Sequence, residues 1–124
     1  MSESNVELAR RGYDALKRGD LGAIAAMLDE NVKWHWGDPT ADDACRSRSD
    51  ALAYIRRPQR RGPGELVDVI DAGDQVVVIT RGDPENDEAL HAQITTFRNG
   101  KVIEMVGYPT VETALAAAGI ERRR

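Results

Sequence analysis

Residues 5 to 36 constrain the fold more than any other stretch. Two short apolar patterns of helical period meet at Gly19-Asp20 and run directly into Val-Lys-Trp-His-Trp, an alternating strand. Ser4 followed by Glu7 reads as a capping box, and Val6, Ala9, Tyr13 and Leu16 recur at helical spacing until Gly19. Asp20 caps a second helix through about Leu28, striped by Leu21, Ile24, Ala25 and Leu28. A helix so short needs tertiary packing to hold it. In Val32 to Trp36 the period of two sends Val32, Trp34 and Trp36 inward and Lys33 and His35 to the outer face. The 124 residues include only two Trp, three Tyr and one Phe, so two tryptophans two positions apart are expected to line a core or a pocket.

Downstream, Ser49 is placed to cap a helix carrying Leu52 and Ile55, which Pro58 stops, and Gln59 to Gly64 form a basic connector. From Glu65 the period changes to that of strands: Leu66 to Asp71, Gln75 to Arg81, about Glu88 to Arg98 and Lys101 to Tyr108. Asn99-Gly100 supplies a tight hairpin turn and Ala72-Gly73-Asp74 another. Thr110 caps a last helix through Ala118 that Gly119 ends, and Glu121 to Arg124 read as a frayed tail. The order ααβαββββα predicts one α+β domain over residues 1–124, with helices closing one face of a curved antiparallel sheet into a cone. The open end of such a cone is a natural ligand site.

Composition narrows the partners. With 17 basic and 21 acidic residues the net charge is −4, which argues against nucleic acid and anionic membrane. Arg56, Arg57, Arg60 and Arg61 form one basic cluster, but it lacks the interleaved aromatics of a nucleic-acid site and reads as a solvated loop. Cys45 is the lone cysteine and excludes an internal disulfide; it is expected to be a small buried residue in a reducing compartment. His35 and His91 are too few for a metal centre, and no metal or cofactor is expected. The N-terminus shows neither a signal peptide nor an apolar run long enough to span a bilayer, so a cytoplasmic location is expected.

The run Arg11-Gly12-Tyr13-Asp14-Ala15-Leu16-Lys17-Arg18-Gly19-Asp20-Leu21, followed by Ala26-Met27-Leu28-Asp29-Glu30-Asn31-Val32-Lys33-Trp34, resembles the opening of the NTF2-like superfamily, in particular its SnoaL-like and ketosteroid-isomerase-like branches. Arg98-Asn99-Gly100-Lys101-Val102 is similar to that group's last hairpin, and Tyr108-Pro109 through Gly119 to a tail common among its actinobacterial members. The resemblance implies a cone-shaped α+β barrel, often a homodimer through its sheet. It specifies chemistry poorly, since isomerases, cyclases, epoxide hydrolases, dehydratases and binding modules share the scaffold. The isomerase site of that group uses a tyrosine on the first helix, an aspartate base at the end of the first strand and a protonated aspartic acid on a late strand. Those positions fall here on Gly12, Trp36 and near Gln93, so none of the three roles is matched. Steroid-type isomerisation by that mechanism is therefore not expected.

Site candidates follow from strand parity. If Gln93 faces the cone, His91, Thr95 and Phe97 share its side, and His91 becomes the general acid or base, with Asp38 or Tyr13 as catalytic partner. Trp34, Trp36, Phe97 and Met105 wall the pocket and Gln93 contacts the ligand, which suits an apolar or planar small molecule. Gly107 leaves room on the last strand, and Arg81 reads as a surface strand-end residue. The enzymatic version of this reading is a cofactor-free isomerase, cyclase or hydrolase using His91. The alternative is a homodimeric scaffold with a side-chain-filled cavity, its interface carried by Val102, Glu104, Val106 and Tyr108.

Overall fold

A computed structural model describes residues 4–38, 40–42, 44–56, 65–81 and 90–120. The first helix, α1 (Asn5–Arg18), begins where the Ser4 side chain accepts the Glu7 N–H and stops at Gly19, whose φ of 70° is the left-handed conformation that glycine adopts freely. Asp20 then accepts the Ala23 N–H and starts α2 (Leu21–Met27). The chain enters strand β1 (Leu28–His35) without a turn, four residues before the alternation becomes regular at Val32. Its pairing slips between Leu28 and Lys33, where the Asp29 side chain accepts the Asn31 N–H.

The remaining elements are α3 (Arg48–Ile55), β2 (Glu65–Ala72), β3 (Gln75–Arg81), β4 (Leu90–Arg98), β5 (Lys101–Tyr108) and α4 (Val111–Ala117). The cap of α3 is Ser47 rather than Ser49: its side chain accepts the Asp50 N–H at 3.1 Å, and Asp50 in turn accepts the Arg46 N–H at 3.0 Å. Ser47→Ala should therefore cost about 1 kcal/mol of unfolding free energy and Ser49→Ala only a few tenths, as read from urea denaturation midpoints. The basic connector from Gln59 to Gly64, the acidic segment from Gly82 to Glu88 and the tail from Glu121 lie outside the described residues.

Strands β2 to β5 form the expected antiparallel meander, but the sheet as a whole is mixed. Its order is β1-β5-β4-β3-β2, and β1 runs parallel to β5. The parallel pair arises because α3 and the meander lie between β1 and β5 in sequence, so no hairpin joins them. The sheet is not closed, and the free side of β1 is covered locally by a reciprocal bridge between Trp34 and Cys45, with N···O distances of 2.9 and 2.8 Å. Cys45 is buried, as a small core residue should be.

Two apolar layers flank the sheet. On the concave face, Val32, Trp34, Val76 and Phe97 of the sheet pack against Ala15 of α1, Ile24 of α2 and Ala51 of α3. On the convex face, Val77, Ile79 and Ile94 pack against Val111, Ala114 and Leu115 of α4. A bulge at Ile103, where Thr96 pairs with Glu104 but Phe97 pairs with Val102, moves Val102 to the concave layer. The interface expected from Val102, Glu104, Val106 and Tyr108 is thus divided, because Val102 faces the helices and Tyr108 packs with α4.

Candidate functional site

The cone encloses a cavity of about 680 Å³. Its deep end is apolar, formed by Leu16 and Ile24 from the helices and by Leu28, Phe97 and Val102 from the sheet. One wall is polar because β4 alternates in register with its neighbours. His91 pairs with Thr80, Gln93 lies between Val78 and Gly107, and Thr95 lies between Val76 and Met105. His91, Gln93, Thr95 and Phe97 all line the cavity. Exposure rises along that row: Phe97 and Thr95 are buried, Gln93 is half-buried and His91 is exposed.

The aromatics sit at the other side. Trp34 is a core residue, 7% exposed, whereas Trp36 lies just beyond the end of β1 and is 49% exposed. Their rings stack with centroids 6.0 Å apart and planes 21° from parallel, and Tyr54 of α3 meets both, at 4.9 Å from Trp34 and 5.8 Å from Trp36. Sequence reasoning missed Tyr54; its place beside Ile55 on a short helix was the available signal. Gly107 explains how Trp36 fits: a Cβ on residue 107 would stand 2.7 Å from the indole Cδ1.

Tyr13 of α1 also lines the cavity, and burial, followed by the negative charge of Glu65, raises its hydroxyl pKa above the ordinary 10.0. The phenol stays a neutral donor across the physiological range. Because the folded-state pKa is raised, the stabilisation it brings is present below about pH 10 and is lost as pH rises through the folded value. Tyr13→Phe should accordingly flatten the alkaline fall in stability, as measured by urea unfolding between about pH 9 and 11.

Asp38 is not among the residues that line the cavity. Gly37 turns the chain at φ 117°, and the exposed Asp38 carboxylate accepts from Thr40 N and Oγ1 at 2.9 and 2.6 Å. These bonds, the hydroxyl one first, hold its pKa below the ordinary carboxylate value. The structure therefore brings Tyr13 and His91 to one cavity and leaves Asp38 in a surface turn. His35 is on the outer face, as its parity implies, but it is buried. Its Nε2 lies 3.0 Å from Glu104 Oε2, and its Nδ1 accepts the Gly37 N–H at 3.1 Å. Accepting at Nδ1 leaves Nε2 as the donor to Glu104. Among the described residues no group of three or more His, Cys, Asp or Glu is placed to hold a metal ion, and no helix is long and apolar enough to cross a membrane.

Residues 9–105 match the SnoaL-like domain family. The chain belongs to that family. Among solved structures, this SnoaL-like domain is similar to Bal32a from a soil-derived mobile gene cassette, at 26% identity and TM-score 0.69 over 83% of this chain and 86% of that one. It is also similar to an LEH-like epoxide hydrolase of M. tuberculosis, at 14% identity and TM-score 0.65 over 83% and 80% of the two chains. A candidate ketosteroid isomerase from Kribbella flavida matches at 19% identity and TM-score 0.67 over 95% and 88%. No protein in the curated set matches the SnoaL-like domain by sequence. The two lower identities establish the NTF2-like cone and leave chemistry to the residues of this cavity.

Proposed function

We propose that this SnoaL-like domain binds a largely apolar, planar small molecule inside the cone. The observation that carries the reading is the segregation of polarity in one open cavity: apolar residues at its depth, indoles on one side, and Thr80, His91, Gln93 and Thr95 on the wall formed by β3 and β4. Such a site buries a ring system and orients it through a few neutral hydrogen bonds. Similar folds in an epoxide hydrolase and a candidate isomerase support a small-molecule role. His91 at the mouth is the group available to move a proton, with Tyr13 as a neutral donor facing the same space. The open cavity speaks against a scaffold whose interior is filled by its own side chains. Titrating the protein with planar aromatic compounds should produce saturable quenching of tryptophan emission, since Trp34 and Trp36 both line the cavity. A panel that leaves the emission unchanged, together with native mass spectra showing no bound compound, would overturn the proposal.

A further inference from the structure

We infer that Trp36 and Gln93 together form a mouth subsite selecting an uncharged planar ring that carries a hydroxyl or carbonyl on its edge. This rests on the small-molecule reading and specifies the ligand class. Gln93 pairs with Gly107 across β4 and β5, and the Trp36 indole occupies the place where a side chain on residue 107 would begin. Register and the missing Cβ thus set an indole beside an amide. The indole is fixed before any ligand arrives: Trp34 stacks behind it, Tyr54 meets it at 5.8 Å, and the next residue, Gly37, is tied through its N–H to the buried His35. Preorganisation of this kind lowers the entropy cost of stacking. Trp36 nevertheless remains 49% exposed, whereas Trp34 is enclosed by the core, so Trp36 is the indole with surface to offer.

Gln93 is half-buried and lightly engaged. Its Nε2 makes one long contact, 3.5 Å, to Thr95 Oγ1, and its Oε1 has no partner among the described residues. A ligand hydroxyl can donate to that oxygen, and a ligand carbonyl can accept from the nitrogen. Charge works in the same direction. No Asp, Glu, Lys or Arg is among the described residues that line the cavity, so away from His91 an ionised ring would lose hydration without a counter-charge.

The test uses three probes of similar size: 2-naphthol, naphthalene and decahydro-2-naphthol, which is saturated and not flat. Binding to the full chain is followed by equilibrium dialysis, and thermal unfolding confirms that each variant is folded. Trp36→Leu should weaken 2-naphthol by about three- to tenfold and decahydro-2-naphthol by less than about twofold, with Trp36→Phe recovering most of the loss. Gly107→Ala should reproduce the Trp36→Leu pattern, because its Cβ displaces the indole. Gln93→Leu should remove a preference for 2-naphthol over naphthalene of about three- to tenfold. Equal weakening of flat and saturated probes by Trp36→Leu, or a preference that survives Gln93→Leu, overturns the subsite and leaves the cavity reading standing. Failure of all three probes to bind the unmodified chain overturns both.

Discussion

Trp34→Ala is expected to lower the unfolding free energy by about 3–5 kcal/mol, the range for deleting a buried tryptophan side chain. Set against the roughly 5–15 kcal/mol that holds a typical domain together, this is about a fifth of the total or more. The size follows from position. Trp34 is 7% exposed, belongs to the concave core, stacks on Trp36 and takes the edge of Tyr54. Its backbone also makes both hydrogen bonds of the bridge to Cys45, so a void beside it loosens the strand edge as well as the core. Thermal unfolding should show a fall of roughly 10–20 °C. Trp36→Ala, at a half-exposed position, should cost about 1 kcal/mol or less while changing ligand binding more. Denaturant unfolding of the two variants side by side checks the contrast. Equal losses would mean that the indoles form one structural unit without a division between core and subsite.

That division was not legible in the sequence. Alternation placed Trp34 and Trp36 on one face and was right about direction, yet it carries no information about where β1 ends. The strand stops at His35, so the second indole leaves the sheet and becomes a rim residue. The β4 row was readable because an unbroken strand keeps its parity: Gln93 facing the cone required His91, Thr95 and Phe97 to face it too, and all line the cavity. On β5 the same rule failed for Val102, since one extra residue at Ile103 reverses the parity that precedes it. Asp38 depended on a turn two residues past the strand, which Gly37 directs toward solvent. The His35–Glu104 pair could not be foreseen at all. It exists because β1 lies parallel to β5, a contact between segments about seventy residues apart that no local pattern encodes.

Leu115→Ala should separate stability from ligand recognition. Leu115 is 3% exposed and packs with Ala114 and Val111 against Val77, Ile79 and Ile94, on the convex face of the sheet. Removing its isobutyl group should cost about 2–5 kcal/mol, with the upper end expected if the short α4 cannot collapse onto the sheet. Helix α4 has only seven residues, so its own hydrogen bonds and the Thr110–Thr113 capping box contribute little without that contact. The cavity lies on the concave face, and none of Val111, Ala114 and Leu115 lines it. A folded Leu115→Ala protein should therefore bind 2-naphthol within about twofold of the unmodified chain while its urea midpoint falls sharply, because Leu115 does not line the cavity and, of the described residues in its cluster, only Ala92 and Tyr108 do. A parallel loss of affinity would show that α4 controls the cone through the sheet, with Val77 and Ile79 beside Val76 and Val78 as the route, since neighbours on β3 alternate between the convex core and the concave side.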